Sequence, residues 1–250
     1  MRLTGPGGGT VNIDGSPFCT LTYGAGTTTC SKIVDYGAPI ALTSTPSVES
    51  VFDVFGGDCS ATPTCTITPT AAVSVTGSFS RKKLLLTLTA KGTGGGSISV
   101  DGVVACSVVS GQPAQTCSKL LDYGTMASIT GSATAASSFD GVSGDCTGVS
   151  GCAVVMTAAR AIAATFTLRQ VPLTLILSGS GSGVVSVDGT AACTLNFGSG
   201  SPVTCTRMAN LGTSILIGST PAGGSRFDGY GADCANAPRL GSTCNLGIGG

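Results

Sequence analysis

The chain of 250 residues contains no histidine and no tryptophan, and only 10% of its residues are charged. Each scarcity excludes something. Without histidine, a serine or cysteine nucleophile lacks its commonest base and a zinc site lacks a common ligand. Twelve Lys and Arg against twelve Asp and Glu give a formal net charge of zero, so there is no basic face for nucleic acid and no acidic tail. Low charge also favours self-association. No apolar run approaches the ~18 residues of a membrane helix, the densest being Leu84 to Ala90, so no membrane span is expected. The opening residues MRLTGPGGG hold no apolar signal core, and any export signal is expected to lie outside this sequence. There is no Asn-x-Ser/Thr acceptor for N-glycosylation.

What is abundant is cysteine, twelve in all, and it is periodic. Cys19, Cys106 and Cys193 are 87 and 87 apart; Cys30, Cys117 and Cys205 are 87 and 88 apart; Cys59, Cys146 and Cys234 are 87 and 88 apart. Three units follow, each with four cysteines. The step from second to third cysteine is 29 in every unit (30 to 59, 117 to 146, 205 to 234), while the steps within pairs vary. A loop cross-linked at its base absorbs insertions, whereas a strand would lose register. The expected disulfides are therefore local: Cys19 to Cys30, Cys59 to Cys65, Cys106 to Cys117, Cys146 to Cys152, Cys193 to Cys205 and Cys234 to Cys244. Such short loops stabilise by somewhat under about 3 kcal/mol each. Zinc is the competing reading of regular cysteines, but there is no histidine and no close Cys-x2-4-Cys pair. An even, periodic set points to an oxidising compartment, extracellular or at the cell surface.

The hydrophobic pattern has period two. Ile162, Ala164, Phe166 and Leu168 alternate with Ala161, Ala163, Thr165 and Thr167, as on a half-buried strand, and Val73, Val75 and Phe79 repeat this in the first unit. Leu84 to Ala90 and Ser97 to Asp101 read as strands around a turn at Gly94 to Gly96, and the second strand of each unit ends at an Asp-Gly turn: Asp14-Gly15, Asp101-Gly102, Asp188-Gly189. No sustained 3.6 periodicity argues for helix. The expected fold class is all-β, three small disulfide-stapled β domains end to end. The boundaries fall near Arg81-Lys82-Lys83 and Arg169 to Pro172, which gives 1–82 with its first strand truncated, 83–169 complete, and 170–250 with its last strand missing. Both joints are too short for a flexible linker, so neighbouring units should touch.

One motif occurs three times: FDVFGGDCSATPTC from Phe52, FDGVSGDCTGVSGC from Phe139 and FDGYGADCANAPRLGSTC from Phe227. With Val154, Met156 and Ala164-Thr165-Phe166 following Phe139, Gly141, Gly144, Cys146 and Cys152, the second unit resembles the divergent internalin B-type B-repeat family of bacterial surface proteins. The resemblance runs through the chain in three copies. It departs where the family usually has tryptophan, since Phe55, Val142 and Tyr230 stand there. The resemblance implies a small all-β module, often in tandem on secreted or surface-anchored proteins, in adhesins and beside catalytic domains of extracellular hydrolases, without catalysis of its own.

No catalytic residue, cofactor or metal ligand is assigned. The carboxylate pairs Asp53/Asp58, Asp140/Asp145 and Asp228/Asp233 have the residue types of an acid and base or of a weak calcium site. Their Gly-rich setting fits turn formers and loop caps better. A carbohydrate-binding reading rests on the exposed-looking Tyr23, Tyr36, Tyr123 and Tyr230, without the tryptophan that stacks best. The reading that accounts for most is a non-catalytic extracellular structural repeat protein, a building block of a stalk, adhesin or filament; a carbohydrate-binding or accessory module of a secreted hydrolase or adhesin is the alternative.

By the 87-residue period, Met1 falls opposite Leu88, and Cys244 to Gly250 stops where the second unit continues through Val154 to Leu168. Incomplete sheets at the two ends lead us to expect head-to-tail self-association, since unpaired strand edges recruit strands. A continuing array in one polypeptide is the competing expectation.

Overall fold

The computed structural model describes residues 1–59, 63–235 and 242–249. The first repeat contributes β1 (Arg2–Gly5), β2 (Gly9–Ile13), β3 (Ser16–Leu21), β4 (Gly26–Thr29), β5 (Ile40–Pro46), β6 (Ser50–Gly57), β7 (Thr64–Ile67) and β8 (Val75–Arg81). The second contributes β9 (Lys83–Gly92), β10 (Gly96–Val100), β11 (Val103–Val108), β12 (Gln115–Asp122), β13 (Met126–Ala133), β14 (Ser137–Gly144), β15 (Gly151–Val155) and β16 (Arg160–Leu168). The third contributes β17 (Gln170–Leu177), β18 (Gly183–Val187), β19 (Thr190–Leu195), β20 (Val203–Asn210), β21 (Ser214–Pro221) and β22 (Thr243–Gly247). The described residues contain no α-helix; Ala232–Cys234 forms one 3-10 turn. The protein is all-β.

Each of the first two repeats forms two four-stranded sheets. In the second, one sheet runs β11-β10-β13-β15 and the other β12-β9-β16-β14. The second sheet is mixed: β9 and β16 pair in parallel, and the outer pairs are antiparallel. The alternation seen in the sequence is the cause of the layering. Ile162, Ala164 and Phe166 point inward from β16, Leu86, Leu88 and Ala90 from β9, and Ile98 and Val100 from β10, so both sheets share one core. The first repeat repeats this plan, with Leu3, Val11, Leu42, Phe55 and Phe79 buried in its own cluster. Val73, placed on the last strand by its alternation, lies just outside β8 and is 39% exposed.

Aromatic rings and close glycines set the packing. Phe166 is fully buried, 5.5 Å from Phe139 between ring centroids, and a Cβ at Gly96 would lie 2.3 Å from its ring. Gly92, at φ +121°, lies so close to the Phe166 carbonyl that a Cβ would come within 1.9 Å of its oxygen. Both positions therefore admit only glycine. Phe79 makes the corresponding contacts with Gly5 and Gly9.

The third repeat keeps one four-stranded sheet, β19-β18-β21-β22, and its other sheet, among the described residues, consists of β17 and β20. Its core gathers Leu175, Val185, Val187, Ile215 and Ile217. Counterparts recur with changed chemistry: Lys83 and Asp122 form a 2.7 Å ion pair across β9 and β12, and Gln170 and Asn210 a 3.0 Å amide pair across β17 and β20. Disulfides join Cys19 to Cys30, Cys59 to Cys65, Cys106 to Cys117, Cys146 to Cys152, Cys193 to Cys205 and Cys234 to Cys244, with Cα separations of 5.6 to 6.1 Å.

Candidate functional site

The repeated aspartates are held by backbone amides. Asp14, Asp101 and Asp188 adopt left-handed φ of 46°, 53° and 49°, which a short polar side chain tolerates. Their carboxylates each accept a 2.9 Å bond from an amide of a neighbouring strand of the sheet, Ala41 on β5, Ser128 on β13 and Leu216 on β21. In the motif loop, Asp58 and Asp145 accept 2.6 Å bonds from the amides of Ser74 and Ala161 and donate their own amides back to the same residues' carbonyls. Asp53 accepts from the Ser80 hydroxyl and Asp140 from the Thr167 hydroxyl. In the first two repeats these four carboxylates clamp the motif strand to the last strand. Among the described residues, no three metal-ligating side chains converge.

In the third repeat the same residues are placed differently. Asp228 pairs at 3.0 Å with Arg226, both well exposed, and Asp233 sits in the 3-10 turn.

The tyrosines are spread through the molecule and do not form one platform. The structure corrects the expectation that all four are exposed, because three are partly covered by packing. Tyr23 and Tyr123 meet edge to face at 6.4 Å, with the Tyr23 hydroxyl donating to the Tyr123 carbonyl at 3.0 Å. Tyr230 packs against Phe227 and reaches the carbonyls of Ile217 and Ser242. Tyr36 alone of the four is open, at 82% exposure.

What the sequence reading did not single out is the chemistry of the joints. A single residue, Lys82, separates β8 from β9, and a single residue, Arg169, separates β16 from β17. Lys82 donates its amide to Glu49 at 2.8 Å and accepts at 2.7 Å from the amide of Tyr123. Arg169 does the same, donating to Ala136 at 2.9 Å and accepting from Leu211 at 2.8 Å. Each joint residue is thus bonded on both sides through its main chain, and the Arg169 guanidinium adds a 3.3 Å bond to the Ala135 carbonyl. Tyr23 and the Arg81 guanidinium, 5.6 Å from its ring centroid, complete the first joint. Leu211 is buried at the second, where Ala136 joins the third repeat's core. The signal available beforehand was positional: Tyr36, Tyr123 and Leu211 occupy the same place in SKIVDYG, SKLLDYG and TRMANLG.

A cleft of about 470 Å³ lies at the second joint, lined by Thr93, Thr167, Leu168, Gln170 and Asn210. None of these side chains is an acid or base near neutral pH, so the cleft has no general acid or base of its own. No helix among the described residues is long and apolar enough to cross a membrane.

Comparison with known proteins matches residues 19–83 to the divergent InlB B-repeat domain family. No curated protein sequence matches the chain. Among solved structures, the Bacillus anthracis TIE protein is similar in fold, with a TM-score of 0.51 at 8% identity over 99% of this chain. The aligned part is 47% of that protein, so this chain spans about half its length.

Proposed function

We propose that this chain, which carries a divergent InlB B-repeat domain over residues 19–83, is a non-catalytic extracellular structural repeat protein: a stiff spacer in a cell-surface stalk, adhesin or filament. The observation that carries the reading is the joint. One-residue connections bonded through main chain on both sides, at Lys82 and again at Arg169, hold successive repeats in fixed relation. A protein whose task is to span distance needs that stiffness, whereas a flexibly tethered domain does not. The three units of the 87-residue period act as tandem domains, bounded near residues 82 and 169. Six local disulfides support an oxidising location. Head-to-tail self-association is part of this reading, and the zero net charge favours association.

Electron microscopy of the purified chain tests it. Rods of uniform length are expected, and particles bent at variable angles between repeats would overturn it. The second reading, an accessory carbohydrate-binding module, draws on the exposed Tyr36, and saturable binding on a glycan array that is lost in Tyr36→Ala would favour it.

A further inference from the structure

We infer that Lys119 and Arg207 keep the outer edges of β12 and β20 from pairing with a second copy of this chain, so that copies do not zip together side by side. The inference goes beyond the structural-repeat reading and does not depend on it.

The second repeat shows which strand ends this sheet. β12 is the last strand in the order β12-β9-β16-β14 and, among the described residues, pairs with β9 alone. β20 holds the same place beside β17. Such an edge offers a row of main-chain donors and acceptors to any extended segment. The other edges of the second repeat are blunted. β14 carries a register shift between Phe139 and Gly141, and its Val142 is bridged to Gly148. β11 meets its partner β10 across a shift between Ile98 and Ser99, and β15 is only five residues long. β12 and β20 have none of these features, since eight residues of each run against β9 and β17 without a shift. With zero net charge on the chain, repulsion between whole molecules does not protect them.

One basic residue on each edge does. Lys119 stands opposite Leu86 and Arg207 opposite Leu173, and directly opposed residues share a face of the sheet. Leu86 is fully buried and Leu173 packs against the core of the third repeat, so both cations lie on the inward face of their strands. A charge there keeps its hydration only while the head group reaches water past the open edge. An added strand would close that route and desolvate the charge. No acid on the same face would neutralise it, because β12 presents Gln115, Cys117 and Leu121 there, and β20 presents Val203, Cys205 and Ala209. Any pairing of these edges between copies therefore sets Lys119 or Arg207 against an uncharged residue or another cation. Asp122 lies on the opposite face of β12 and is held by Lys83. The place is basic in all three repeats: Lys32 in SKIVDYG, Lys119 in SKLLDYG and Arg207 in TRMANLG.

The test compares the whole chain with a Lys119→Val, Arg207→Val double variant by sedimentation velocity over a concentration series and by hydrogen exchange. The variant should associate at least about tenfold more tightly than the parent, since pairing no longer desolvates a charge, and exchange should slow at residues 115–122 and 203–210. Lys91→Val removes a charge from the exposed end of β9 and should leave association unchanged, which separates position from net charge. Lys119→Glu with Arg207→Glu keeps a charge on the inward face and should behave as the parent does. Unchanged association of the valine variant overturns the inference, as does equal association of the Lys91 or glutamate variants. Association that leaves exchange along β12 and β20 unaltered, or a parent whose own association already slows it there, overturns it too. If the valine variant misfolds, Lys119→Gln with Arg207→Gln carries the same expectation, and its failure to associate is equally decisive. End-to-end contacts leave exchange along these two strands unchanged, so head-to-tail assembly can hold or fail separately.

Discussion

The second and third repeats share their 29-residue cysteine step, their Asp-Gly turn and their paired loop glycines, yet among the described residues the second builds eight strands and the third six. The difference lies in one partner. FDGVSG is strand in the second repeat because β16 runs beside it, and the nearly identical FDGYGA, with no such neighbour among the described residues, is not strand. The motif that recurs most faithfully is thus not a strand by its own propensity. The first repeat shows the same rule at its other edge. SKLLDYG lies largely in β12, opposite Lys83 to Thr87, while in SKIVDYG the strand β4 has already stopped at Thr29 and Ile33 is 97% exposed. Edge and near-edge strands exist where pairing is available.

The widest expected contrast between the repeats is at the aromatic anchor. Phe166→Ala should destabilise the second repeat by about 3–5 kcal/mol through a core cavity, whereas Phe227→Ala, half-buried, should cost the third about 1 kcal/mol. Denaturant titration with repeat-resolved hydrogen exchange reads both, and equal losses would break the comparison. Next comes the backbone approach beneath that ring. Gly92→Ala should cost about 3 kcal/mol, combining overpacking with strain at positive φ, and Gly179→Ala only the strain, about 1 kcal/mol.

A smaller effect is expected from the staples. Replacing Cys146 and Cys152 together by alanine should loosen the second repeat by less than about 3 kcal/mol and leave the other two folded. Collapse of the whole chain in that variant would mean that the repeats are one cooperative body, and non-reducing peptide maps of the parent should contain six bridges, each within a repeat. The smallest contrast is electrostatic. Asp145→Ala removes a carboxylate from the Ala161 amide and should cost about 1–2 kcal/mol, while Asp233→Ala, at a position without that partner, should change stability by no more than about 0.5 kcal/mol.

Much of the site chemistry was legible in the residues because turns and cross-links are local. Asp14, Asp101 and Asp188 act as turn formers because Asp-Gly has that conformation at low cost, and cysteines 6 to 12 apart at a loop base lie within bonding reach. The role of the tyrosines was not legible. Tyr36, Tyr123 and Leu211 are equivalent in sequence, and only the neighbour across the joint decides that the first is open and the last buried.

By itself the sequence determined the period, the all-β class and the inward face of β16 through Ile162, Ala164 and Phe166, since alternation and spacing are properties of consecutive residues. Tertiary structure alone decided that β9 and β16 run parallel and that Lys82 and Arg169 are bonded from both sides. Those features join residues about 30 to 75 apart in the chain. Only the folded backbone brings such residues together, and no local pattern encodes that meeting.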